Sequence, residues 1–146
     1  MATFSRNVTV DWQGSIMEGT GQANAGTGAF SLPVTFPRRI GDPQGGTSPE
    51  ELIAAAHAIC FAMVINAAAG KKGASVGKTH VTCTVTADKG DAGIKITTSK
   101  LALTVEGLKG IEPGAFDAFA REAEKGCPVS NALRGSLNIE LETHVK

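Results

Sequence analysis

The segment Thr47–Gly70, TSPEELIAAAHAICFAMVINAAAG, constrains the fold most, because it is the longest helical signal in the chain. Ser48 followed three residues later by Glu51 forms a capping box, and Pro49 takes the first helical position, where its missing N–H costs nothing. Beyond Glu51 only His57 and Asn66 are strongly polar, so nearly every face is apolar and the pattern predicts a helix inside the protein. Gly70 suits the left-handed position that closes such a helix. From Pro49 to Ala69 the helix would span about 30 Å, the diameter of a small domain. Cys60 falls near its midpoint.

A chain of 146 residues with 42% hydrophobic and 19% charged residues can bury one core, so a single domain over residues 1–146 is expected. The long helix would reach across a bilayer, but Glu50, Glu51 and His57 within it and the amphipathic remainder of the chain argue against a membrane span. Met1–Asn7 is polar and an alternating segment follows it, so no secretory leader is expected and the cytoplasm is the expected compartment. Fourteen basic residues balance fourteen acidic ones, which removes the electrostatic footprint of a nucleic-acid binder. Three cysteines, an odd number, argue against a disulfide scaffold and leave reactive, metal-bound or buried thiols.

Asn7–Gln13 alternates apolar and polar residues as a half-buried strand does, with Gly14 as its turn and Ser15–Thr20 as a weaker hairpin partner. Gly19–Gly28 is rich in Gly, Ala, Asn and Thr and reads as a turn or short irregular strand. Phe30–Phe36 is extended, Pro37 holds Phe36 in extended geometry, and a loop carrying Arg38 and Arg39 leads through Gly46 to the helix cap. After a basic connector, Lys71–Lys78, the segment His80–Ala87 alternates cleanly, with Val81, Cys83 and Val85 on one face. Asp88–Gly93 supplies a turn. Ile94–Glu106 is a long strand whose apolar parity slips at Thr97–Ser99, where a bulge or bend is expected. Pro113–Lys125 carries Phe116, Phe119, Ala120 and Ala123 on one helical side, closed by Gly126. Cys127 then precedes Pro128 as the N-cap of a short helical turn through Leu133, and Ser136–Glu142 alternates as a last strand. This order indicates an α+β fold with antiparallel sheet.

Cys60 and Cys127 differ in local physics. An apolar helix interior raises a thiol pKa and leaves Cys60 inert unless a cation lies close, whereas helix N–H groups can favour a Cys127 thiolate. Taken alone, each is more often packing than chemistry, and Cys83, on a strand face shared with two valines, reads most simply as core. His57-x-x-Cys60 and His80-x-x-Cys83 repeat a spacing seen in zinc sites, but on a strand an offset of three places His80 and Cys83 on opposite faces, so a metal is not expected. His57, one turn before Cys60, suits either a base for it or a hydrogen-bonded buried histidine. Glu50 lies ten residues before Cys60, about 15 Å along the axis, so direct contact within one helix is excluded. Taken alone, Glu50 is a favourable charge in a first helical turn.

Gly46–Phe61, GTSPEELIAAAHAICF, together with Gly126–Leu133, GCPVSNAL, closely resembles the OsmC/Ohr family of osmotically inducible and organic-hydroperoxide-resistance proteins. The resemblance covers essentially the whole chain, and His57 before Ala-Ile-Cys resembles the osmotically inducible branch. It implies antiparallel β-sheets wrapped around a long buried central helix, in an intertwined homodimer with two active sites at the dimer interface. It further implies a cytoplasmic thiol peroxidase without metal or organic cofactor, acting on organic hydroperoxides and served by a dithiol or lipoyl-type reductant, with no nucleic-acid or membrane partner. By the same resemblance Cys60 is the peroxidatic thiol and Cys127 the resolving thiol, Glu50 holds an arginine that favours the Cys60 thiolate, and His57 is a supporting residue. Arg39 is the favoured arginine, with Arg38 as the alternative.

Physical chemistry agrees with that implied assignment. Burial opposes ionisation of Cys60, and a guanidinium within about 4–6 Å would restore it. Alanines around Cys60 leave room for an alkyl or lipid hydroperoxide tail, and a dry pocket strengthens an arginine–thiolate attraction. The competing expectation is a dimeric small-molecule- or lipid-binding or redox-sensing stress protein of the same fold.

Overall fold

A computed structural model describes residues 1–146. The chain forms two compact units, Met1–Leu52 and Ile53–Lys146.

The first unit is built on a three-stranded antiparallel sheet, β1 (Val8–Gln13), β2 (Thr20–Ala25) and β3 (Ser31–Val34), in that order. Val8 pairs with Ala25 and Gln13 with Thr20, so the hairpin partner of β1 is the Gly/Ala-rich segment, while residues 15–19 supply the turn. Packing explains the departure from strand propensity. A Cβ on Gly21 would stand 2.6 Å from the Trp12 ring, so the indole lies where only glycine fits, and Ala23 is buried. All six residues of β1 are exposed within the chain, rather than alternating in burial. After β3 the backbone does not stay extended. Thr35 caps a short helix, α1 (Phe36–Ile40), its hydroxyl accepting the Arg38 N–H at 3.3 Å. Pro37 is tolerated because it lies in the first turn, where no intrahelical N–H bond is lost.

The helix α2 (Pro49–Lys71) begins at Pro49 as expected. Its capping box is half formed: the Ser48 hydroxyl accepts the Glu51 N–H at 3.1 Å, while the Glu51 carboxylate accepts from the Thr47 hydroxyl at 2.7 Å. The helix runs past Gly70, and Gly73 (φ 69°) takes the left-handed conformation instead.

In the second unit, β4 (Lys78–Gly90) and β5 (Gly93–Glu106) form an antiparallel hairpin. Thr86 pairs with Thr98 and Ala87 with Ile96, so Thr97 is the extra residue of a bulge where the apolar parity slips. A 3₁₀ turn (Pro113–Ala115), α3 (Phe116–Glu124) and α4 (Pro128–Leu133) then lead to β6 (Asn138–Val145). β6 lies parallel to β5, which makes this sheet mixed and not antiparallel. The helical crossover between the two strands supplies the length that a parallel connection requires.

The core of this unit gathers Phe61, Ile65 and Ala69 of α2, Leu101, Leu103 and Val105 of β5, and Phe116 and Ala120 of α3. Burial on α2 follows one stripe, His57, Phe61, Ile65 and Ala69, at helical spacing of four. Burial of α2 on all sides, as its composition suggests, is therefore not what one chain provides. Ile59 and Met63 remain 57% and 67% exposed. The fold class is α+β, with two small sheets and one long helix.

Candidate active site

In the first unit, α1 delivers Arg39 to the first turn of α2. The Arg39 Nε donates to Glu50 Oε1 and Oε2 at 3.1 and 3.2 Å, and Nη2 donates to Oε1 at 2.6 Å. Of the two candidate arginines Arg39 makes this ion pair, while the Arg38 side chain runs alongside Gly46. The two side chains keep only 25% and 14% of their surface exposed, so the pair is partly shielded from solvent. The guanidinium holds the Glu50 carboxyl below its ordinary pKa, against the opposing effect of burial. Beside the pair is a cavity of about 350 Å³ walled by Val10, Trp12, Ala23, Val34 and Phe36, with Arg39 on its lining. Its walls are mostly apolar, with Thr35, Ser48 and Arg39 as its polar groups, a combination suited to a hydrocarbon tail.

In the second unit, Cys60 lies at the middle of α2 and Cys127 caps α4. Gly126 and Pro128 set Cys127 between two helices: its N–H donates to the Glu124 carbonyl at 3.0 Å and its carbonyl accepts from Asn131 N–H at 3.0 Å. Cys127 is fully buried and Cys60 partly so, and both are free thiols. Cys60 packs against the buried cluster to which Cys127 and, at its margin, Val129 belong. Burial pushes the Cys60 thiol above its ordinary pKa; the Val129 N–H works against that shift and the neighbouring thiol adds to it.

His57, one turn before Cys60, is fully buried. Its Nδ1 lies 2.7 Å from the Ser99 hydroxyl and its Nε2 lies 2.7 Å from the Ser130 hydroxyl, so both ring nitrogens are engaged. Burial lowers its pKa, which keeps the ring neutral. Cys83 joins the same group, its sulfur 3.2 Å from the Ser99 hydroxyl. Sequence reasoning missed Ser99 and Ser130 as partners. Ser130 lies inside the GCPVSNAL motif, the one signal that marks it, whereas Ser99 has none beyond the parity slip that precedes it.

The model of the OsmC-like protein family matches residues 41–142, a range that includes α2, Cys60 and Cys127. The chain belongs to the OsmC-like family. Peroxiredoxin OsmC of Escherichia coli K12 is 35% identical over 142 residues, covering 96% of this chain and 97% of the relative. OhrB of Bacillus subtilis, an organic hydroperoxide resistance protein, is 26% identical, covering 84% and 88%. Among solved structures, an organic hydroperoxide resistance protein OsmC from Legionella pneumophila superposes with a TM-score of 0.73 at 26% identity, covering 99% of each chain. The OsmC-like fold thus accounts for both sheets and the long helix of this chain.

Proposed function

We propose that this OsmC-like chain is a cysteine-based peroxidase that reduces organic hydroperoxides to alcohols, and hydrogen peroxide more weakly. The meeting of Cys60 and Cys127 in one core, free thiols at the middle of α2 and the start of α4, carries the reading. The names of its relatives, a peroxiredoxin and hydroperoxide resistance proteins, support the same chemistry.

In this reaction the Cys60 thiolate attacks the terminal oxygen of ROOH. The S–O bond forms, the O–O bond breaks, and the departing alkoxide takes a proton to leave as ROH. Cys127 then attacks the Cys60 sulfur; the S–S bond forms, the S–O bond breaks, and hydroxide leaves with a proton as water. A dithiol or lipoyl-type reductant restores both thiols and is oxidised to its own disulfide. Because burial raises the Cys60 pKa, the thiolate needs cationic support, and Arg39, held by Glu50, is the residue to supply it. The apolar cavity lined by Trp12 and Arg39 favours an organic tail over hydrogen peroxide. The exposed apolar residues Ile59 and Met63 on α2 favour a homodimer, in which a second copy would cover them.

The deciding experiment is consumption of cumene hydroperoxide with a dithiol. Cys60→Ser abolishes it under this reading, and full retention would assign the chain to ligand binding or redox sensing instead. Thiolate absorbance against pH then tests the arginine: Arg39→Ala raises the Cys60 pKa more than Arg38→Ala does.

A further inference from the structure

His57 does no chemistry in the reaction above, yet it is buried and bonded through both ring nitrogens. A neutral imidazole has one N–H donor and one acceptor nitrogen, so one serine hydroxyl accepts from the ring and the other donates to it. The bonds join three elements. His57 belongs to α2, Ser99 to β5 and Ser130 to α4, and Cys83 of β4 extends the chain of contacts through Ser99. No buried side-chain polar atom is left without a partner.

The place of Ser130 gives this chain of bonds a consequence for the thiols. Ser130 lies three residues after Cys127, on a helix of only six residues. The other side-chain anchors of that segment are local: Asn131 donates to the Lys125 carbonyl at 2.9 Å, and Arg134 pairs with Glu124 and Asn131. The Ser130 hydroxyl makes the side-chain hydrogen bond that links α4 to α2. His57 and Cys60 are one turn apart on the same helix, so a bond that ties α4 to His57 also fixes the distance between Cys127 and Cys60.

We propose that His57 is a positioning residue for thiol pairing: by bridging Ser99 to Ser130 it clamps α4 on α2 and holds Cys127 beside the stretch of α2 that carries Cys60. The clamp rests on the proposed function only for its biological purpose, since the pairing itself is a property of the two thiols. Holding two reactants in place raises their effective molarity. Without the clamp the reduced α4 would sample other positions, and closing the disulfide would require ordering it again.

Equilibration of the protein with reduced and oxidised glutathione measures that effective molarity directly and needs no peroxide. Ser130→Ala, which removes one hydroxyl and leaves His57 in place, lowers it about tenfold, a rise of about 30 mV in the Cys60–Cys127 potential. The share of protein carrying a glutathione mixed disulfide rises with it. His57→Asn, whose amide can replace only the Nδ1 bond to Ser99, behaves like Ser130→Ala. His57→Gln, whose longer side chain can replace the Nε2 bond to Ser130, restores most of the wild-type value. A folded Ser130→Ala protein with the wild-type glutathione equilibrium overturns the clamp, as does a His57→Asn protein that pairs its thiols better than His57→Gln. A wild-type chain that pairs its thiols with glutathione as described but consumes no hydroperoxide refutes the peroxidase reading and leaves the clamp standing.

Discussion

Acidification tests the burial of His57 more sharply than a truncation does. Above about pH 6.5 the imidazole is neutral in both folded and unfolded chains, and its buried hydrogen bonds contribute in full. Burial lowers the folded-state pKa; the Glu124 charge raises it and the Arg134 charge lowers it, and neither outweighs burial. As the pH falls through 6.5 the unfolded chain takes up a proton that the folded ring resists, so the unfolded state binds more protons and stability falls. With one proton of difference the slope approaches about 1.4 kcal/mol per pH unit, and the loss at pH 5.5 reaches up to about 1.4 kcal/mol while the native ring stays neutral. Urea unfolding at pH 7.5 and 5.5, at one protein concentration, provides the assay. His80 and His144 are exposed and present in both wild type and His57→Gln, so they cancel when the two proteins are compared. Wild type loses more stability between the two pH values than His57→Gln does. Equal losses in both proteins would refute a buried neutral His57.

Two other perturbations address the core and the exposed helix face. Phe61 is fully buried in the core of the second unit, so Phe61→Ala costs about 3–5 kcal/mol, read as a lower urea midpoint with an unchanged slope. Ile59→Glu combined with Met63→Glu places two charges on the exposed apolar face of α2 and shifts a dimer to monomer in sedimentation equilibrium; an unchanged mass would remove that face from the interface.

What the sequence made legible, and what it hid, follows the range of the interactions involved. The bulge at Thr97 was readable because an extra residue in one strand shifts the apolar parity of the residues beyond it. Cys127 as a cap was readable from Gly126 and Pro128, which punctuate the chain on either side of it. The Arg39–Glu50 pair was indicated only by resemblance, since local spacing gave Glu50 no role beyond helix charge. Strand β2 was hidden because Gly21 and Ala23 have poor strand propensity, and the Trp12 ring that makes them suitable lies on another strand. The parallel direction of β6 was hidden because alternation marks a strand without giving its neighbour or sense. The one-sided burial of α2 escaped composition for a related reason: apolar faces show what a helix can bury, and only the tertiary structure shows what covers them. The partners of His57 lie 42 and 73 residues away, beyond any local pattern.

The central claim is that Cys60 is the atom that meets peroxide and Cys127 the one that resolves it. Peptide mass mapping of the fully reduced protein after one equivalent of cumene hydroperoxide tests it most directly. The expected result is loss of two hydrogen atoms per chain, a Cys60–Cys127 disulfide, an unmodified Cys83 and one equivalent of alcohol. Oxidation confined to Cys83, or an unchanged Cys60 in protein that has consumed the hydroperoxide, would contradict it.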